Sequence, residues 1–118
     1  MENKITNEIQ LQAACAVWFH NEMFRHRGYF RRVKNELDQW GANRYAQLAN
    51  NKATGIVAGT WDAFFMTKPI TWIEFKWGRN GLSHEQKEFM RVGSELGWQF
   101  RVVRDLETFK NISYEFFG

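Results

Sequence analysis

Three charged residues have types and spacing that could support metal-assisted chemistry. Asp62 precedes a short segment in which Glu74 and Lys76 stand two positions apart. In a β-strand, Glu74 and Lys76 would project from one face, and Phe75 would enter the opposite, buried layer. A hairpin between the two segments would bring Asp62 beside Glu74. Adjacent carboxylates repel unless a cation lies between them, and hard oxygen ligands of this kind suit Mg²⁺ or Mn²⁺.

Lys76 has two interpretations at this point. Beside a bound cation, its ammonium group would orient or activate a water molecule, or stabilise charge that develops on a phosphate. Alternatively, Lys76 forms a simple ion pair with Glu74, and Asp62 is a turn residue. The flanking residues favour the first interpretation. Charged side chains in an apolar strand are costly unless they pair with an opposite charge or take part in the chemistry of a site. These apolar neighbours are Trp72, Ile73, Phe75 and Trp77.

The composition is that of one ordinary globular domain. The chain has 118 residues, 44% of them hydrophobic and 25% charged, which excludes a disordered polymer, a collagen-like chain and a coiled-coil rod. The lone Cys15 cannot form an internal disulfide, which favours a reducing, intracellular setting, and its place on an apolar helical face predicts a core position. The polar first residues and the short apolar runs predict neither a signal peptide nor a membrane span, so we expect a cytoplasmic protein.

The net charge of +3 is concentrated in one short segment, residues 25–34, which we call the basic segment. Without this segment, the chain has a slight excess of acids. The cluster could follow a phosphate backbone, or it could be a solvated edge strand whose charges block pairing with another sheet edge. Arg44, further along, is a candidate for substrate contact or for a surface ion pair. The basic residues of the cluster are Arg25, Arg27, Arg31, Arg32 and Lys34.

The hydrophobic pattern predicts a single mixed α/β domain over residues 1–118. In the first helix, the apolar face is predicted from residues at helical spacing and from neighbours that widen it. The residues at helical spacing are Ile9, Ala13, Ala16 and Val17, and the widening residues are Leu11, Ala14 and Trp18. The predicted helices are 7–20, 38–51, 83–96 and 106–116, with caps at Asn7 or Thr6, Ser83 and Asp105. The predicted strands are 29–34, 61–66, 70–77 and 98–104, with a turn at Lys68-Pro69.

An ordered set of short motifs resembles one known family. The motifs cover nearly the whole chain and comprise Glu8 and Gln12, Asn35-Glu36, Gly55, Gly59-Thr60-Trp61-Asp62, Trp72-Ile73-Glu74-Phe75-Lys76, Gly81-Leu82-Ser83-His84-Glu85-Gln86, Phe89 and Gly97-Trp98-Gln99-Phe100-Arg101-Val102-Val103. In this order they resemble the VRR-NUC nucleases, the virus-type replication-repair branch of the PD-(D/E)XK superfamily. The resemblance implies a mixed central sheet flanked by helices.

The same resemblance implies a set of site residues. Asp62 and Glu74 match the family's metal ligands, the Phe75 carbonyl is a further ligand, and Lys76 is the catalytic lysine. Glu8 matches an acidic residue that completes the metal site. One departure is visible, because Trp61 stands where the family usually has proline, and it leaves every metal-binding group in place.

Two of these residues have a plain structural alternative. Gln86 matches a family glutamine that positions the scissile phosphate or a water molecule, but it is also the expected capping-box partner of Ser83. Glu8 is favoured in a first helical turn by the helix dipole whatever its function.

The leading functional hypothesis is a Mg²⁺- or Mn²⁺-dependent DNA endonuclease. Small stand-alone, phage-type members of the family resemble junction resolvases, which implies a branched or Holliday-type substrate cut by a homodimer. The alternative is a non-catalytic nucleic-acid-binding module that uses Tyr29 and Phe30 for stacking. A structural subunit with an aromatic protein interface is a third possibility.

Overall fold

The computed structural model describes residues 4–33 and 58–118. Two of the predicted DNA-binding residues, Lys34 and Arg44, lie outside these ranges. The same holds for the predicted helix 38–51, for Asn35-Glu36 and for Gly55.

The described helices and strands follow the predicted order, with one additional 3-10 helix over Phe24–Tyr29 that the sequence did not predict. The elements are α1 (Glu8–Glu22), a 3-10 helix (Phe24–Tyr29), β1 (Phe30–Arg32), β2 (Ala63–Phe65), β3 (Thr71–Phe75), α2 (His84–Glu95), β4 (Gln99–Val103) and α3 (Leu106–Phe117). The three predicted caps are present, since the side chains of Asn7, Ser83 and Asp105 each accept a bond from a backbone amide of the first helical turn.

The strands form one mixed sheet in the order β1-β2-β3-β4. β1 and β2 are antiparallel, as are β2 and β3, whereas β3 and β4 are parallel. The C-terminal ends of β1, β3 and β4 therefore lie beside the N-terminal end of β2, at one end of the sheet. α2 connects the parallel pair β3 and β4, as a parallel connection requires. The mixed sheet flanked by helices confirms the predicted fold class.

The main core lies between one sheet face and the helices α1 and α3. It is rich in aromatic rings, with Phe19, Phe65 and Phe109 in mutual contact at centroid distances of 5.5–6.2 Å. The buried residues are Leu11, Cys15, Phe19, Met23, Ala63, Phe65, Ile73, Phe75, Val103, Phe109 and Ile112. Cys15 is in the core as predicted, and burial raises the pKa of its thiol to about 12.

The predicted inward face of α1 is right at Leu11 and Cys15 but wrong at Ile9 and Val17. Ile9 and Val17 are 66% and 60% exposed, while Leu11, Cys15 and Phe19 point into the core. Both sides of this helix are apolar, so its periodicity does not distinguish the buried side from the exposed one.

A second aromatic layer covers the other sheet face. Trp72 packs edge-on against Phe89 of α2, with ring centroids 4.9 Å apart. A Cβ at Gly93 would lie 2.4 Å from the Phe100 ring, so only glycine permits α2 to approach β4 this closely. α2 is thereby held against the face from which Glu74 projects.

None of the helices within residues 4–33 and 58–118 has the length and apolar composition that a membrane-spanning helix requires.

Candidate metal centre

The register of the β2–β3 hairpin brings Asp62 and Glu74 together. Ala63 pairs with Ile73, so the preceding residue, Asp62, stands opposite Glu74. The Asp62 amide donates to Glu74 Oε1 at 3.1 Å, and the Phe75 amide donates to Asp62 Oδ2 at 3.0 Å. The two carboxylates therefore replace backbone partners at the point where the ladder ends, and their oxygens are fixed by the sheet itself.

Glu8, in the first turn of α1, completes a group of three carboxylates. One oxygen each from Glu8, Asp62 and Glu74 lies within 4.8 Å of the other two. Mg²⁺ binds oxygen at about 2.0–2.1 Å in an octahedron, which puts its ligand oxygens roughly 3–4 Å apart. A small inward movement of the side chains would reach that spacing. The donor set consists of hard oxygens, so the residues fit Mg²⁺ or Mn²⁺.

Strand geometry indicates the side of β3 on which the Phe75 carbonyl, also predicted as a ligand, lies. In a strand, the N–H and C=O groups of one residue point to the same neighbour. The Phe75 amide binds Asp62, whereas the next amide, of Lys76, donates to the Val103 carbonyl of β4. The Phe75 oxygen therefore lies on the Asp62 side of β3.

The electrostatics of the group distinguish it from ordinary surface acids. Glu74 is 1% exposed, and burial, with the negative charge of Asp62 second, raises its pKa to about 8. The Lys76 ammonium lies 3.3 Å from Glu74 Oε2 and opposes this rise only in part. A divalent cation would supply the missing positive charge and favour the ionised form of Glu74.

Gln86 is the capping-box partner of Ser83, as one of the two predictions had it, and it also contacts the carboxylate group. Its Oε1 accepts from the Ser83 amide at 2.9 Å, and its own amide donates to Ser83 Oγ, which completes the capping box. Its Nε2 donates to Glu74 Oε2 at 2.6 Å. Because the cap fixes which end of the side-chain amide faces the site, Gln86 presents a donor to Glu74.

Two contacts that support the centre were missed by the sequence analysis. The buried Trp61 indole donates to the Gln86 carbonyl at 3.1 Å and ties α2 to the Asp62 segment. Gly59 has φ +95°, and a Cβ there would lie 2.5 Å from the Glu85 backbone. No local pattern signals either contact, since each joins positions that are distant in sequence.

A third missed contact fixes the loop that follows β3. One nitrogen of Arg104, at the end of β4, donates to the carbonyls of Gly78 and Asn80 at 3.1 and 2.8 Å. The loop between Lys76 and α2 is therefore tied to the sheet.

The described part of the basic segment lies along the 3-10 helix and β1, at the edge of the described sheet. The exposed residues there include Arg25, Arg27, Arg31 and Arg32. Arg25 stacks over Phe24, and Arg27 Nε donates to the His20 carbonyl. Within residues 4–33 and 58–118, β1 is an edge strand that carries exposed arginines, as the solvated-edge prediction has it, and exposed arginines also suit a phosphate backbone.

No protein-family model matches the sequence, and no curated protein is significantly similar to it. A solved structure described as a "VRR_NUC domain protein" matches with a TM-score of 0.75 and 17% sequence identity. The match covers 97% of this chain and 90% of the other. At this identity the likeness concerns the fold, and it confirms the fold that the motifs predicted. The chain therefore has the fold of a VRR_NUC domain.

Proposed function

We propose that this protein is a metal-dependent nuclease that hydrolyses phosphodiester bonds of DNA. One observation carries the proposal: Glu8, Asp62 and Glu74 converge within 4.8 Å, and Lys76 contacts the same group, in a VRR_NUC fold. A buried carboxylate beside a second, partly buried one is unfavourable unless a cation or hydrogen-bond donors neutralise the charge. Metal-assisted hydrolysis uses all of these groups together.

The protein's part in metal binding is to supply hard oxygens in a fixed arrangement. Glu8, Asp62, Glu74 and the Phe75 carbonyl would hold Mg²⁺ or Mn²⁺. When bound, the cation neutralises phosphate charge and lowers the pKa of water that it coordinates. Asp62 is held by the Phe75 amide and Glu74 by Gln86, so the ligands are oriented before the cation arrives.

Lys76 supplies the positive charge on the side of Glu74. Its Nζ, 3.3 Å from Glu74 Oε2, lies where it can donate to a phosphate oxygen or orient the attacking water. Gln86 has its side-chain amide committed to Ser83 and Glu74. Its role in this structure is therefore to position Glu74, and contact with substrate would require Gln86 to release that bond.

The basic segment would hold the DNA backbone beside the centre. Arginine side chains bind phosphates without reading sequence, which suits a structure-selective enzyme. As the finer hypothesis, the substrate is branched or Holliday-type DNA, and the enzyme acts as a homodimer. A two-fold dimer would present its two metal centres symmetrically to two strands.

A cleavage assay tests the proposal. Wild type, Asp62→Asn and Lys76→Ala are incubated with linear, flap and four-way DNA in Mg²⁺ or Mn²⁺. Glu88→Gln and Lys110→Ala serve as matched controls, because these residues form ion pairs away from the centre. We expect both site variants to lose activity by about 10²–10³-fold or more, and both controls to retain it.

Equal cleavage by wild type and the site variants would overturn the proposal. Salt-sensitive DNA binding without metal-dependent cleavage would favour the non-catalytic binding module instead. The preference among the three DNA forms, together with the molecular mass in solution, tests the branched substrate and the homodimer separately from the chemistry.

A further inference from the structure

Gln12 links the helix of the metal centre to the basic segment. It lies one helical turn after Glu8, on the same side of α1. Its side-chain oxygen accepts a hydrogen bond from the guanidinium of Arg32, twenty residues further along the chain. A basic side chain is thereby fixed beside the turn that carries a candidate metal ligand.

Arg32 also adjoins the centre through the sheet. It is the last residue of β1 and pairs with Ala63, the residue directly after Asp62. The next amide, of Val33, donates to the Asp62 carbonyl at 2.8 Å. Alternation along the strand places Arg32 on the same face as the core residue Phe30, which is the face covered by α1. The position of Arg32 is therefore set by both the sheet and the helix.

The neighbouring Arg31 has the same charge but a different place. It projects from the opposite face of β1, and its Nε donates to the Gly28 carbonyl of its own segment at 2.9 Å. Arg31 and Arg32 are thus a natural matched pair, because they are adjacent, carry the same charge and are both exposed. Only Arg32 is held against α1.

We propose that Arg32 binds the phosphate adjacent to the scissile one, and that Gln12 is the positioning residue that aims it. The proposal rests on the nuclease function proposed above. A guanidinium is a planar fork of several N–H donors, so a bond to Gln12 fixes its plane while other donors serve a phosphate. Arg32 thereby sets where the DNA strand lies relative to Glu8, Asp62 and Glu74.

The kinetic signature follows from the chemistry. A phosphate next to the scissile one keeps its charge throughout the reaction, so its binding is the same in the ground state and the transition state. Removing such a contact raises KM and leaves kcat little changed. A contact made only in the transition state would lower kcat instead.

The experiment compares Arg32→Ala, Arg31→Ala and Gln12→Ala with wild type. DNA affinity is measured by fluorescence anisotropy in EDTA, KM and kcat are measured by cleavage with Mn²⁺, and Mn²⁺ affinity is measured by calorimetry. Arg31→Ala reports the loss of one positive charge. We expect Arg32→Ala to raise KM by about tenfold more than Arg31→Ala does. Gln12→Ala, which removes no charge, should raise KM by a smaller factor, and all three variants should bind Mn²⁺ no more weakly than wild type.

Equal KM increases for Arg31→Ala and Arg32→Ala would overturn the proposal and leave the nuclease function intact. A loss of Mn²⁺ affinity in Arg32→Ala would also overturn it, because Arg32 would then support the metal centre. If wild type neither binds Mn²⁺ nor cleaves DNA, the nuclease function fails, and the anisotropy comparison still decides whether Arg32 is the preferred phosphate contact. Arg32→Lys, which keeps the charge without the fork, provides a second variant should Arg32→Ala fold poorly.

Discussion

Two adjacent residues of β3, Glu74 and Phe75, are buried to the same degree in opposite environments. Phe75 is 0% exposed and joins the aromatic core, with the Phe109 ring 6.0 Å away. Glu74 is 1% exposed and faces Asp62, Lys76 and Gln86. The core stabilises the fold without any ligand, because burial of apolar area is favourable in itself. The carboxylate centre is unfavourable until its excess negative charge is neutralised.

The largest expected effect concerns stability and comes from the core face of the sheet, the face that carries Phe75. Phe109→Ala removes a fully buried ring that touches Phe75 and lies on α3, away from the carboxylates. We expect the free energy of unfolding to fall by about 3–5 kcal/mol, measured by urea denaturation. Leu96→Ala, at a residue 64% exposed, is the control and should change stability by less than about 0.5 kcal/mol. Similar losses in the two variants would show that the ring is not a core element.

The pH dependence of the free energy of unfolding tests the opposite face of the sheet, the face that carries Glu74. Because the folded protein raises the pKa of Glu74 from its ordinary value to about 8, the folded state retains a proton that the unfolded state releases at lower pH. The contribution of Glu74 to stability is therefore fully present below about pH 4.5 and is lost as pH rises toward 8. The slope approaches about 1.4 kcal/mol per pH unit between these limits.

Glu74→Gln is the matched variant, because it keeps the shape of the side chain and removes the titration. We expect the metal-free variant to show a flatter stability profile and a higher melting temperature than wild type at pH 8. Mn²⁺ should reverse the order by stabilising only the wild type. Parallel pH profiles for the two metal-free proteins would contradict the origin assigned to the raised pKa.

A smaller effect separates the two roles of Gln86. Ser83→Ala and Gln86→Ala both break the capping box, so each should lower the free energy of unfolding by about 1 kcal/mol. Only Gln86→Ala removes the donor to Glu74 Oε2, so only this variant should weaken Mn²⁺ binding, by about 10–100-fold. Calorimetric titration and thermal melting of the two variants measure both effects. Equal Mn²⁺ affinities would reduce Gln86 to a capping residue.

Local signals predicted most of the described fold. The caps at Ser83 and Asp105 and the apolar run around Trp72 marked elements that the structure contains, because capping and strand propensity act over a few residues. The buried side of α1 was predicted correctly at Leu11 and Cys15 and wrongly at Ile9 and Val17, because Ile9 and Val17 are as apolar as the residues that face the core. Tertiary packing, not periodicity, selects the inward side of such a helix.

The candidate site also combines features that the sequence predicts with features that it does not. A hairpin register follows from short-range order, so the proximity of Asp62 and Glu74 was predictable from the residues alone. Glu8 entered only through the family resemblance, since nothing local indicates that α1 begins beside Asp62. The contacts from Gln12 to Arg32 and from Trp61 to Gln86 join distant segments, and the sequence carries no periodic signal for them.

Anomalous diffraction from a crystal soaked in Mn²⁺ at pH 8 tests the central claim most directly. We expect an anomalous peak between the carboxylates of Glu8, Asp62 and Glu74, which Asp62→Asn abolishes and Glu88→Gln retains. A crystal in which Mn²⁺ occupies other sites while no peak lies among these three residues would contradict it.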